Sequence, residues 1–553
     1  MRKTCAQCSA SFEITDEDLA FLEKLSPTIG GKTCPLPPPT LCPLCRQQRR
    51  ISWRNERNLY KRKCRLCGRE HVSIYSPDKD LHVLCADCWW SDKWNGLQYG
   101  REFDFNRPFF DQFGELLQQA GLISFFGRNN ENSEYVNQET DDKNCYMNAG
   151  GHYNEDCYYC TYSLWGKDNV DCYWVVHSAL CYECIHCENC NSCTGCEDCN
   201  QCTDCLFCEE CTGCSNCFGC YGLKHKEFHF FNEQLNPKEY QKRLEDIRGS
   251  HRLLIAAKKK AQEHFKTFPH RAAVVIHSED STGNYLTECR NVQHGYLYEK
   301  GHDLRYAYIG LDVKDGMDLS CYGWGELNYE VGSSLENHSA AFLSSVINCN
   351  NSYLCFVCQN ADHLFGCIGL QRKKYCILNK QYSKEEYEEL VPKIIEHMAE
   401  TGEWGQFLPT TLSPWGYNET AASEYFPLSR EETLKRGWKW KEDDPKEFMK
   451  QKYPIPDRID DVQDDIVDAV LTCEETGRNY RITKQEFAFY RRREIPIPRK
   501  HPHRRHLERL SLQNPWQVWA RKCEKCRKEI RTTYAPDRPE IVYCEQCYLA
   551  EVY

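Results

Sequence analysis

The sequence predicts a multi-domain, mainly β chain with helices, in which cysteine-knuckle domains at the two ends flank two tandem β-solenoid-like repeat modules joined by helices. Three observations carry that expectation. One is a run in which every third residue is cysteine. The second is a gapless internal repeat in the middle of the chain. The third is another internal repeat that relates its ends.

The run is Cys181 to Cys220, CYECIHCENCNSCTGCEDCNQCTDCLFCEECTGCSNCFGC, with fourteen cysteines at strict period three. An α-helix at 3.6 residues per turn cannot hold that period on one face, and a plain strand repeats every second residue. Three arrangements compete. A narrow β-solenoid would bury the small thiols in columns and put the turn-prone residues between them at corners. Metal sites would use each CxxC as half a ligand set. A disulfide framework would need an oxidising compartment. The run lacks the x3-C-P ending of ferredoxin-type clusters, so iron–sulfur ligation is not expected.

The middle repeat favours the solenoid. FGCYGLKHKEFHFFNEQLNPKEY from Phe218 and FGCIGLQRKKYCILNKQYSKEEY from Phe365 match at a constant offset of 147, including Gly222/Gly369, Leu223/Leu370, Asn232/Asn379 and Tyr240/Tyr387. The second copy has only seven cysteines and uses Tyr, Leu, Ile, Val and Met where the first uses thiols. An architecture that both sets can fill points to cysteine as core filling.

The ends repeat too. Cys64, Cys67, Cys85 and Cys88 form two CxxC pairs with seventeen residues between them, and Cys523, Cys526, Cys544 and Cys547 repeat that interval. This is the spacing of a four-cysteine zinc ribbon, with a strand–turn–strand hairpin between the pairs. Cys5, Cys8, Cys42 and Cys45 form a third set across a thirty-three-residue gap. Its copy is broken: SFEITDEDLAFL from Ser11 matches NYRITKQEFAFY from Asn479, yet Thr476 replaces Cys8, and His501 and Arg504 stand opposite Cys42 and Cys45. Cys473, His501, His503 and His506 are left as a remnant candidate. The expected cofactor is structural zinc, two to four ions.

The chain divides into a tandem zinc-ribbon domain (1–100), an aromatic-rich helical linker (101–140), a Cys-rich module (141–235), a helix (236–280), a second module (281–382), a helix (383–402), an extended linker (403–470) and a C-terminal zinc-ribbon domain (471–553).

The net charge of −11 is unevenly spread. Cys145 to Cys220 holds eleven Asp/Glu against one Lys, whereas Arg46 to Arg65 holds nine Lys/Arg and one Glu. In that segment Arg46, Arg49, Arg50, Arg54, Arg57, Lys61, Arg62 and Lys63, interleaved with Trp53 and Tyr60, form a candidate phosphate-contacting surface. A second basic cluster runs from Arg491 to Arg505. The competing reading pairs these residues with the chain's own acidic modules.

The N-terminal MRKTCAQCSASFEITDEDL has no apolar signal core, and no run of eighteen apolar residues exists. A cytoplasmic protein with reduced thiols and no membrane partner is expected. Walker A, GxGxxG, GxSxG and HExxH motifs are all missing, and no catalytic residue is assigned.

The segments CPLCRQQRRISWRNERNLYKRKCRLCG, FGCIGLQRKKYCILNKQYSKEEY, SPWGYNET and APDRPEIVYCEQCY resemble long, uncharacterised bacterial zinc-ribbon proteins with a cysteine-rich repeat. That resemblance implies no activity. The ribbon segments alone resemble four-cysteine zinc ribbons of transcription and translation proteins. The expected function is a non-enzymatic zinc-binding scaffold that contacts RNA or a ribonucleoprotein through its basic ribbon segments. The alternatives are a protein-interaction or structural scaffold without nucleic acid, and metal or iron–sulfur handling by the cysteine ladder.

Overall fold

The computed structural model describes residues 1–182, 202–320, 325–326, 328–335, 337–338, 344–443 and 448–552. The ladder cysteines from Cys184 to Cys199, and Cys321, lie outside the described residues. The fold is mixed α/β. Twelve α-helices and many small sheets surround two larger parallel sheets among the described residues. No described helix is long and apolar enough to cross a membrane.

The parallel sheets explain the period of three. In the first, Asn137 pairs with Ala149, and Ala149 with Thr161, which pairs with Tyr173. In the second, Gly283 pairs with Gly295, Gly295 with Ala307, and Ala307 with Leu319. Each step is twelve residues, and the ladder follows it: Thr203 pairs with Ser215 and Leu206 with Phe218. Twelve residues make four triplets, and every triplet has the same anatomy. Its first residue is buried inward, as Cys205, Cys208 and Cys211 are. Its second makes the parallel bridge. Its third turns through left-handed φ, as Asp204 (49°), Phe207 (50°), Glu210 (55°) and Gly213 (62°) do. Asp, Asn and Gly adopt that region most readily, hence the composition between the cysteines. Tyr159, Tyr162 and Leu180 adopt it as well.

The second module keeps the same phase with different filling. Leu286, Val292, Leu304, Leu319 and Leu364 occupy inward positions beside Cys289, Cys355, Cys358, Cys367 and Cys376. Inward glycines offset the large residues. A Cβ on Gly310 would meet the Tyr298 ring at 2.1 Å, so that glycine makes room for the ring.

Helices follow each module as expected, with one break. The segment 236–280, read as one helix, holds two, Pro237–Ile247 and His251–Phe265. Gly249 turns at φ +73° between them, and Ser250 caps the second. The helix Lys384–Glu400 starts at a capping box of Ser383 and Glu386.

Two expectations need correction. The stretch read as an extended linker from 403 is core over its first third: Trp404, Phe407, Leu408, Trp415 and Tyr417 are buried among residues of the N-terminal domain and the second module. The aromatic-rich linker likewise hands over early, since Gly127–Arg128 and Asn137–Thr140 already belong to the first parallel sheet.

The core clusters cross the chain order. The N-terminal domain shares its core with the second module, through Trp53, Trp89, Tyr306, Tyr308, Phe356 and Phe365. The C-terminal copy shares its core with the first module, where Ile482, Phe487 and Tyr490 meet Tyr158, Tyr159 and Tyr182.

Candidate metal centres

Each four-cysteine set is built from two pieces brought together by a short hairpin and a helix start. For the first set the hairpin is Arg2–Thr4 with Ser11–Glu13, and the helix is Pro43–Ile51, with Cys42 at its N-cap and proline at its first position. In the second, Tyr60–Lys63 pairs with Glu70–Ser73, and Cys85 caps a helical turn. The third repeats this with Trp519–Lys522, Glu529–Thr532 and the helix Glu545–Val552.

In all three sets the four sulfurs lie within 4.8 Å of one another. The Cys8–Cys42, Cys67–Cys85 and Cys526–Cys544 sulfurs are 3.7, 3.9 and 3.7 Å apart. A tetrahedral ion with metal–sulfur bonds of about 2.3 Å needs sulfurs roughly 3.8 Å apart, so the sets fit a four-thiolate ion. Backbone amides point at the sulfurs: Cys42 N–H donates to Cys5 Sγ and Cys85 N–H to Cys64 Sγ, both at 3.3 Å. Burial opposes ionisation at Cys64 and Cys523, but the amides of the knuckles outweigh it and bring each thiol down to about 6. All three sets are closed, with one exposed cysteine each (Cys8, Cys67 and Cys526). Every described cysteine is a free thiol.

The fourth, broken site keeps its frame without its ligands. The helices Lys484–Arg492 and Pro502–Leu510 stand where Asp16–Leu25 and Pro43–Ile51 stand in the intact copy, and Thr483 with Glu486 repeats the capping box of Thr15 with Asp18. Cys473, His501, His503 and His506 do not come together as a ligand set among the described residues. Ion pairs hold this corner instead: Glu475 takes Lys500 at 2.6 Å and also Arg504, and Glu474 takes Arg499 at 3.5 Å.

The basic segment is turned inward. Arg46, Arg49, Arg50, Arg54 and Arg62 are buried, and Arg57 is nearly so. Arg46 Nε donates to Asp318 at 2.6 Å, and its guanidinium lies 5.1 Å from the Tyr306 ring centroid. Arg50 lies 3.2 Å from the same carboxylate and donates to Ser320 Oγ at 2.9 Å. Arg49 donates to Gln406, Arg54 pairs with Glu56, and Arg57 pairs with Glu424. Arg62 donates to the carbonyls of Ser76 and Leu81, pinning the hairpin turn. Of the eight residues read as a phosphate-contacting surface, Lys61 and Lys63 are exposed. Arg46 and Arg50 share one face of the helix Pro43–Ile51, and it is a packing face, because a carboxylate far along the chain meets it; Arg54 and Arg57 lie beyond the helix end.

The C-terminal cluster behaves alike. Arg505 pairs with Asp171 and Glu486, and Arg509 lies 3.1 Å from Asp171. Arg491 and Arg492 pair with Asp464 and Asp168 at the surface.

What stays outside is the third cysteine set's own shell. Lys522, Lys525, Arg527, Lys528 and Arg531 are exposed around it, and of these Lys525 pairs with Glu551. The equivalent N-terminal shell is largely neutralised, with Arg65 on Asp80, Arg69 on Asp87 and Lys61 within 3.9 Å of Glu70.

No protein-family model matches the chain, and no curated protein matches it at a significant level.

Proposed function

We propose that this protein is a non-enzymatic scaffold in which three structural zinc ions fold the terminal domains and buried arginines lock those domains onto two closed β-solenoid modules. The observation that carries the reading is the use of the basic segments. Arginines four positions apart on the helices that follow the knuckles end on one buried aspartate in each module. A segment consumed in that way serves the chain's own assembly. Elemental analysis tests the zinc part, with about three zinc per chain expected for three closed sites; fewer than one would remove its basis.

A second reading keeps nucleic acid but moves the contact. The exposed cations around Cys523, Cys526, Cys544 and Cys547 are the ones that carboxylates leave most open, which favours RNA binding at the C-terminal ribbon. Filter binding at low and high salt tests it, since phosphate contacts release counterions and weaken steeply with salt. Replacing Lys522, Arg527, Lys528 and Arg531 by Glu should abolish retention with zinc content unchanged. Retention that survives the change, or none at low salt, discards this reading and leaves the scaffold.

A further inference from the structure

The interior of the first module is partly polar in its first coils, at Asn148, Asn154, Ser163 and Asn169, and turns to sulfur towards Cys220. Its buried cluster consists of twelve cysteines and two valines, with Leu223 packed against it. From Cys202 to Cys220 every inward position is a thiol. The sulfurs meet along the chain and across the twelve-residue step. The parallel bridges Thr203–Ser215, Leu206–Phe218 and Glu209–Tyr221 set Cys202 beside Cys214, Cys205 beside Cys217 and Cys208 beside Cys220, while inward neighbours along the chain are three residues apart. Backbone carbonyls also face the sulfurs, as in Cys205 Sγ to Thr203 O at 3.5 Å and Cys214 Sγ to Leu223 O at 3.3 Å.

The fold does not need all of this sulfur. The second module has Ser352, Ala361 and Leu364 where the first has Cys205, Cys214 and Cys217, all buried in the same parallel register. At the other four positions the second module also has buried cysteines, Cys349, Cys355, Cys358 and Cys367, so ordinary side chains replace three of the seven thiols and break a run that is continuous in the first module.

The spacing selects the ion. Zinc or an iron–sulfur cluster needs three or four sulfurs around one point, and among the described residues such groups occur only at the three knuckle sets. In the ladder the sulfurs meet in pairs, and each belongs to several pairs. That is the donor pattern for a soft monovalent ion bound by two sulfurs, each sulfur bridging two ions, and soft thiolates select copper(I).

We infer that the thiol lattice from Cys202 to Cys220 is a binding site for copper(I). For each ion one S–H bond breaks, one proton leaves to solvent, and the thiolate forms bonds to copper. The charges of ion and thiolate cancel, so the dry interior stays neutral, and no electron is transferred.

The test uses reduced, full-length, zinc-loaded protein under inert gas, titrated with copper(I) against a chromophoric copper(I) chelator. Copper and zinc are counted on the same sample, and X-ray absorption reads the copper ligands. The expected result is copper bound by sulfur alone with the zinc retained. The variant Cys205→Ser, Cys214→Ala, Cys217→Leu, which copies the second module, should bind roughly twofold less copper, because each ion requires two neighbouring thiolates. Copper bound only as zinc leaves would place it in the knuckles and overturn the inference. So would wild-type protein that binds none, or a variant that binds as much as wild type. If the triple variant loses zinc and therefore its fold, Cys217→Leu alone gives the same comparison. Zinc counts report on the scaffold reading separately, so the two can fail independently.

Discussion

Asp171 and Asp318 are the same residue twice. They stand 147 positions apart, the interval of the module repeat, and each is fully buried beneath two arginines of a terminal helix. Arg46 and Arg50 sit on Asp318; Arg505 and Arg509, their counterparts in the second copy, sit on Asp171. The surroundings repeat as well. Tyr306 donates to Asp18 and Tyr159 to Glu486, both at 3.2 Å, and the guanidiniums of Arg46 and Arg505 lie 5.1 and 5.0 Å from those two rings. The docking is crossed, first domain on second module and last domain on first module. Both ends of the chain are thus tied to a distant module through equivalent contacts.

Removing either shared carboxylate leaves two buried guanidiniums without a counter-charge. Asp318→Ala and Asp171→Ala should each cost about 3–5 kcal/mol, the usual penalty for stripping one partner from a buried ion pair. Asp315→Asn, which removes the charge of a partly exposed partner of Lys24 and suits the same left-handed backbone (φ 52°), should cost less than about 0.5 kcal/mol. Urea midpoints of the three variants, with m unchanged, check this. Equal losses at Asp315 and Asp318 would show that the lock does not hold the domain.

The three cysteine sets should be separable. Cys67→Ala, Cys8→Ala and Cys526→Ala should each lose about one zinc while the other two stay, since each closed site draws all its ligands from one knuckle pair. Metal counts on the single variants decide it. Loss of all three ions from one substitution would show that the sites fold as one unit.

The sites were legible in the sequence because their ligands come in local pairs: Cys64 with Cys67 and Cys85 with Cys88 need only a hairpin between them. The strict three was visible without its cause. The left-handed corner is a backbone property that Tyr159, Leu180 and Phe207 adopt although their side chains do not advertise it. The arginine cluster was legible as charge, but its partner was not. Asp318 lies 272 residues from Arg46, and no local pattern marks it as the carboxylate that would meet the helix. The burial of Trp404 to Tyr417 was hidden for a similar reason, since prolines and glycines there read as linker while the aromatics pack against distant residues.

Buried histidines set the acid side of stability. Burial, reinforced by Arg57, holds His506 down at about 3 although Glu424 lies 3.3 Å away, because that carboxylate is taken by Arg57. Burial also lowers His270, His294 and His501 to about 4. The unfolded chain takes up protons near pH 6.5 that the native state refuses, so stability is full above that pH and falls below it. Each such histidine should contribute a slope of about 1.4 kcal/mol per pH unit between its unfolded and folded values. His506→Gln should flatten the curve by about one proton between pH 6 and pH 4.5, read from urea midpoints against wild type. A variant whose curve parallels the wild type's would place the acid sensitivity elsewhere.

The two modules fill one pair of inward positions differently. In the second, Tyr298 is buried against Gly310; in the first, the same two positions are Gly151 and Ser163. Both residues are small in the first module, so the large ring, and the glycine that makes room for it, belong to the second module alone. Gly310→Ala should therefore overpack the step. Gly310 has no left-handed backbone to strain, so the cost comes from the clash with the Tyr298 ring alone, about 1–3 kcal/mol. Tyr298→Leu on its own opens a cavity and should cost a similar amount or more. Combined, the two changes should cost clearly less than their sum, with a coupling of about 1 kcal/mol or more, because each relieves the other's misfit. Thermal or urea unfolding of the four proteins in the cycle measures that coupling. Strict additivity would mean that the step relaxes around each residue independently, and the account of Gly310 as the space for the Tyr298 ring would then fail.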